Sequence, residues 1–226
     1  MMKFDWIPVT RYEQNCSVLW CDETRKAAII DPGGDLAQIE WLLEIEHLEL
    51  EVVLATHGHF DHAGAAAPLA AKTGARLEGP HEGDAHLVQG LGEYGCKKYG
   101  YTPDRFLNDG DRITFGNVHL DVLHCPGHTW GHVAYFEPQT RWAFVGDILF
   151  ENAIGNWKHS DGCLPKLVHS IRYKLFPLGD DVRFLPGHGE VSNFGRERKT
   201  NPFVGDAQLD RLRKLAARAR DSDSGQ

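Results

Sequence analysis

Apolar residues recur along this chain with period two in short runs and near 3.6 in a few longer ones. FDWIPVT and SVLWCD read as strands, and KAAIIDPGG as a third that stops at a Pro-Gly-Gly turn. In DLAQIEWLLEIEHL, Leu36, Ile39, Leu42 and Leu43 fall at helical spacing. Asp35 stands where an N-cap is expected, with Gln38 three positions on as in a capping box. EVVLATH reads as a buried strand. GAAAPLAAKTG reads as a helix closed by Gly74, which must start close before Pro68 because proline is tolerated only in a first turn. ARLEGP is another short strand. Residues 81–103 are Gly-rich and weakly periodic, and read as an inserted helix and loop.

From Asp111 the pattern turns to β. RITFGNVHLDVLHC is two strands around Gly116-Asn117, and GHVAYFEPQTRWAFVGD a second pair around Pro138. CLPKLVHSIRYKLFPLG reads as a helix with Leu164, Leu167, Ile171 and Leu175 on one face. DVRFLPGHG is a strand running into a turn, and DAQLDRLRKLAARAR a C-terminal helix. The two halves are similar, each β-rich first and helical later. That order predicts an α/β fold in which helices cover sheet faces.

Composition narrows this only a little. At 226 residues and 42% hydrophobic content, one domain spanning 1–226 is expected, with 206–226 as terminal helix and tail. A net charge of −8 argues against a nucleic-acid partner. No run approaches the roughly 18 apolar residues of a membrane span, and the start lacks the apolar core of a signal peptide. Five cysteines without a C-x-x-C pair fit a reduced, cytoplasmic protein. The oddity is thirteen histidines.

Several of them share one position type, a loop directly after an apolar strand. His57, His59, Asp61 and His62 follow VVLAT; His128 follows LDVLHCPG; Asp147 follows WAFVG; His188 follows VRFLPG. Loops at one sheet edge converge in space. Converging imidazoles and carboxylates need a cationic partner, which a metal supplies. Nitrogen and carboxylate donors without thiolate suit zinc, iron or manganese rather than calcium. Seven donors exceed one tetrahedral ion and suit two ions roughly 3.5–4 Å apart. The plain alternative, unrelated polar strand ends, does not account for the shared pattern.

The motifs THGHFDH, PGHTWGH, FVGD and LPGHG, in that order, resemble those of the metallo-β-lactamase-fold hydrolases. IPVTRYEQNCSVLWC, IIDPGGD, LHCPGHT, PLGDDVRFLPGHG and the late NPF resemble the short, single-domain branch of the type II glyoxalases, the hydroxyacylglutathione hydrolases. The resemblance runs from about residue 4 to 203. It implies a four-layer αββα sandwich with the site at the edge between the sheets. It implies that His57, His59 and His128 bind one divalent metal, that Asp61, His62 and His188 bind a second, and that Asp147 bridges them. Zinc is the expected ion, with iron or manganese as alternatives. The activity implied is hydrolysis of a small-molecule thioester such as S-lactoylglutathione by a metal-activated water that Asp61 orients. A lactone or ester hydrolase of the same fold, or a mononuclear-iron persulfide dioxygenase, are the rival readings.

After the bridging aspartate the branch usually carries Gly-Arg-Ser/Thr-Asp, whereas this chain reads GNWKHSDGC; Trp130 stands where a small residue or proline is expected. Trp130, Asn156, Trp157 and Lys158 are therefore expected to reshape the substrate pocket. His132 lines that pocket or is a structural histidine. Asp31 buttresses a ligand histidine or caps its own turn. Cys125 reads as a buried structural thiol.

Overall fold

The apolar runs pair as their alternation dictates. In the computed structural model, which describes residues 1–91 and 100–211, the first half gives β1 (Met2–Val9), β2 (Gln14–Cys21) and β3 (Lys26–Ile30). Helix α1 (Leu36–Ile45), β4 (Glu49–Leu54), α2 (Phe60–Ala63), α3 (Ala66–Thr73), β5 (Arg76–Glu78) and α4 (Ala85–Gly90) follow. The five strands form a sheet in sequence order. β1, β2 and β3 are antiparallel, while β4 and β5 join in parallel through the α1 and α2–α3 crossovers. Pro8, which cannot donate to a ladder, lies on the edge strand β1.

The second half gives β6 (Arg112–Phe115), β7 (Val118–His124), β8 (Val133–Glu137), β9 (Trp142–Gly146), the hairpin β10 (Leu149–Phe150) and β11 (Ala153–Ile154), α5 (Leu164–Ser170), β12 (Arg183–Pro186), β13 (Ser192–Asn193) and α6 (Phe194–Thr200). Six of these strands form a sheet in the order β13-β12-β9-β8-β7-β6.

Three apolar cores separate four layers. Leu19, Ala28, Ile30, Val52 and Leu54 of the first sheet meet Phe115, Leu120, Val122, Tyr135 and Phe144 of the second. The opposite face of the first sheet, with Val18, Ile29 and Val53, takes Ile39, Leu42 and Leu43 of α1 and Leu69 of α3. The opposite face of the second, with Ala134, Val145 and Phe184, takes Leu167, Ile171, Leu175 and Phe194. The αββα sandwich follows: every residue of β2 is buried, because both of its faces are covered.

Local chemistry departs from expectation at three points. Asp35 does not cap α1: it sits at φ 49°, and its carboxylate instead accepts from the Thr10 amide at 2.6 Å, tying the β1–β2 turn to the helix start. The helix expected over 163–179 changes pitch, passing from α5 through a π turn at Ile171–Leu175 to a 3₁₀ turn at Phe176–Leu178. The wider turn keeps Ile171, Leu175 and Phe176 all buried. In the inserted stretch, residues 85–90 are helical, and 92–99 lie outside the described residues. Gly74 closes α3 at φ 74° and Gly116 turns the β6–β7 hairpin at φ 50°, as expected. Residues 206–211 of the expected terminal helix are helical, and its remainder lies outside the described residues. Among the described residues no helix is long and apolar enough to cross a membrane.

Phe184 is fully buried and stacks on Phe194 at 5.3 Å. Phe184→Ala is expected to cost about 3–5 kcal/mol in urea unfolding. Trp41→Ala, on a side chain 61% exposed, is expected to change stability by less than about 0.5 kcal/mol.

Candidate metal centre

All seven groups at the strand ends converge. β4 delivers Thr56 to His62, the β7–β8 loop His128, β9 Asp147 and β12 His188, at one edge of the sandwich. His59 Nδ1 lies 3.0 Å from His57 Nε2 and 3.0 Å from His128 Nε2. His188 Nε2 lies 3.3 Å from His62 Nε2 and 3.3 Å from Asp61 Oδ2. Between the two trios stands Asp147. Its Oδ2 is 3.6 Å from His128 Nε2, and its Oδ1 is 3.4 Å from His62 Nε2 and 3.8 Å from His188 Nε2.

The outward nitrogen of four histidines is held by an acceptor, which leaves the inward one with a lone pair whenever the ring is neutral. His128 Nδ1 donates to the Asn156 carbonyl (2.8 Å) and His188 Nδ1 to the Tyr12 carbonyl (3.0 Å). His62 Nδ1 donates to Asp31 Oδ2 (2.9 Å). The Thr56 hydroxyl donates to the same carboxylate (2.6 Å) and so is free to accept from His57 Nδ1 (3.0 Å). Asp31, at φ 57°, is thus the buttress, receiving His62 and both the amide and hydroxyl of Thr56.

The loops themselves are pinned. Asp84, fully buried, accepts from the Gly58 amide (2.9 Å), the Thr129 hydroxyl (2.7 Å) and the Gly131 amide. It therefore clamps the His57–His59 loop to the His128 loop. Asn15 donates its Nδ2 to the carbonyls of Pro186 and Gly189, both at 3.0 Å, fixing the turn that carries His188. At Gly187 a Cβ would lie 2.3 Å from Asp147 Oδ1 and 2.6 Å from His62 Cε1, so only glycine leaves the centre open.

These groups fit divalent cations. With neutral rings, inward nitrogens 3.0–3.3 Å apart would repel unless a positive centre, a proton or a cation, lay between them. Asp147 Oδ1 is buried and accepts no hydrogen bond from the described residues. Burial, reinforced by neighbouring imidazoles, keeps His57 neutral and lowers His59 to about 4 and His128 to about 3. Burial opposes charge on His62 too, yet Asp147, Asp31 and Asp61 raise its pKa to about 9. Burial likewise opposes the Asp61 carboxylate, but His188 and His62 bring it down to about 2. A proton on His62 thus stands in for a cation among three carboxylates.

Beside this centre opens a cleft of about 630 Å³, lined by Tyr12, Phe60, Leu87 and Leu91 with His59, Asp61, His86, His159, Ser160 and Asp161. The residues expected to shape it from sequence do not line it. Trp130 lies under Lys166 Nζ, 4.3 Å from its ring. Trp157 packs on Phe203, with Lys158 Nζ 5.5 Å from the Trp157 ring. Asn156 contributes its backbone carbonyl to His128, and its side chain accepts from the Lys158 amide. His132 is fully buried, stacked on His57 at 4.6 Å, and its Nε2 accepts from the Asp147 amide. It is a structural histidine. The altered loop contributes His159, Ser160 and Asp161 instead. Tyr12, Phe60 and His86 also escaped the sequence reading, because only the fold brings them to the site. Cys125 is buried and its thiol is pushed up to about 12.

The sequence profile described as Metallo-beta-lactamase superfamily matches residues 9–188. The chain belongs to the metallo-beta-lactamase superfamily. Within the superfamily it is 40% identical over 210 residues to the hydroxyacylglutathione hydrolase GloC of Haemophilus influenzae, covering 90% of this chain and 98% of that one. Two solved members share its fold. The B3 metallo-beta-lactamase BLEG-1 superposes with a TM-score of 0.82 at 30% identity, over 89% of this chain and 99% of that one. TTHA1623 in a di-iron-bound form superposes with a TM-score of 0.79 at 31% identity, over 88% and 99%. These likenesses make the chain a metallo-hydrolase of this fold.

Two outcomes follow for metal binding. Asp31→Ala is expected to lower metal affinity about 10–100-fold, read by competition with a chromophoric chelator. His62 is protonated below about pH 9, and although burial opposes it, Asp61 and Asp147 raise His188 as well. Metal uptake at this trio is therefore expected to release about one to two protons at pH 7 and progressively fewer above pH 9. Affinity therefore tightens as pH rises to that point. Calorimetry in buffers of different ionisation enthalpy reads the protons directly.

Proposed function

We propose that the chain hydrolyses a thioester, with S-lactoylglutathione as the representative substrate, at a centre of two divalent cations, zinc or alternatively iron or manganese. The observation that carries this reading is Asp147, whose two oxygens face different trios. In this reading His57, His59 and His128 would hold one cation, Asp61, His62 and His188 the other, and Asp147 would serve both. Bound there, the cations supply Lewis acidity toward an acyl carbonyl and acidify water to near neutral pH.

The chain's own residues do the rest. Asp61, ionised at neutral pH, presents Oδ2 as an acceptor that orients the attacking water. The Asp147 amide, held by His132, fixes the bridging carboxylate. Phe60, Leu87, Leu91 and Tyr12 give the substrate an apolar wall that excludes bulk water. A thiolate leaves more readily than an amine, so no protonating residue is demanded on the leaving side. The 40% identity to a hydroxyacylglutathione hydrolase supports the choice of thioester. Cys16, Cys21, Cys125 and Cys163 are free, which fits a reducing cytoplasm.

Metal-loaded protein is expected to release thiol from S-lactoylglutathione, metal-stripped protein to release none, and Asp61→Asn to lower kcat by about 100-fold or more. Thiol release followed with a disulfide reagent checks it. Turnover that ignores metal, or an Asp61→Asn variant as fast as the parent, would contradict the proposal.

A further inference from the structure

The stretch GNWKHSDGC, where the chain departs from its resemblance, places one more imidazole at the centre. His159 stands edge-on to two histidines of the first trio, with ring centroids 5.4 Å from His59 and 5.2 Å from His128. It also lines the cleft. Its position is built. Its Nε2 donates to the Asn156 carbonyl at 3.2 Å, the same oxygen that receives His128 Nδ1. The Gly162 amide donates to the His159 carbonyl at 3.0 Å, and the Cys163 amide donates to the Gly127 carbonyl at 2.8 Å. Trp157 anchors the loop on Phe203.

With Nε2–H committed, a neutral His159 keeps one free polar atom, Nδ1, which is an acceptor. It makes no hydrogen bond among the described residues. An acceptor at this spot has a narrow choice of partners. The reacting carbonyl must lie against the two trios, and the His159 ring lines the same cleft within 5.4 Å of two of their histidines. The attacking water is held by Asp61 in the reading above, and the carbonyl oxygen and sulfur of a thioester are acceptors that offer Nδ1 nothing. A hydroxyl on the carbon next to the carbonyl is a donor. We infer that His159 is a specificity-determining residue, accepting at Nδ1 a hydrogen bond from the α-hydroxyl of a 2-hydroxyacyl substrate. The inference rests on the acyl-hydrolase reading above and names the residue that reads its hydroxyl group.

The test uses full-length, metal-loaded protein and two thioesters of one thiol, lactoyl and propionyl, which differ by a single hydroxyl. Variants are His159→Phe, which keeps a ring without an acceptor, and His159→Gln, which restores one. The lactoyl-to-propionyl ratio of kcat/KM is expected to fall about tenfold in His159→Phe and to recover in part in His159→Gln. Metal content should stay at the parent value in both. Calorimetric binding of lactate against propionate supplies a readout without turnover, and their difference in affinity should shrink in His159→Phe. Equal losses on both thioesters, or a loss of bound metal, would overturn the assignment and make His159 a support for the loop. Were the parent to cleave neither thioester, the proposed activity would fall. The product-binding difference would still decide the role of His159.

Discussion

Seven lone-pair donors held face to face at the edge between two sheets are the constraint on which the rest of this molecule depends. Left to themselves, the two trios and the carboxylate between them repel and lose hydration. The fold tolerates this because the outward atom of four of the imidazoles is satisfied and because the centre attracts positive charge. The raised pKa of His62 shows that demand: three carboxylates call for a cation and accept a proton in its place. The lowered values of His59 and His128 show the complement, since those nitrogens stay neutral and available.

Holding such a centre requires both halves of the chain at once. The first sheet supplies His57, His59, Asp61 and His62, and the second supplies His128, Asp147 and His188. The inter-sheet core sets the distance between these contributions, and polar clamps set the angles. Asp84 joins the first-half and second-half loops of one trio. Asn15 and the Tyr12 carbonyl reach from the first sheet to the turn of His188. Gly187 gives up a side chain so that Asp147 can face both sides. A centre straddling two sheets is therefore as rigid as their shared core, which suits a reaction governed by placement.

The strands and the seven donors were legible in the sequence, because strand alternation and strand-end histidines are local patterns. So was the doubled β-then-α order that becomes two sheets with outer helices. The capping box at Asp35 was not, because a tertiary contact to Thr10 outcompeted the local bond. The cleft was misread for a related reason. Trp130, Trp157 and Lys158 caught attention as unusual residue types beside the motifs. Side-chain direction, which adjacency in sequence does not encode, turns them onto Lys166, Phe203 and the outer surface. The same loop turns His159 inward instead. Tyr12 and His86 belong to distant segments that only the assembled fold brings to one cleft.

The proposed chemistry turns on Asp147 joining two cation sites into one centre. X-ray absorption at the metal edge, on protein reconstituted with two equivalents per chain, tests it most directly. Two bound ions and a metal–metal scattering path at roughly 3.5–4 Å are expected. A single ion per chain with no metal–metal path, at saturating metal, would contradict it.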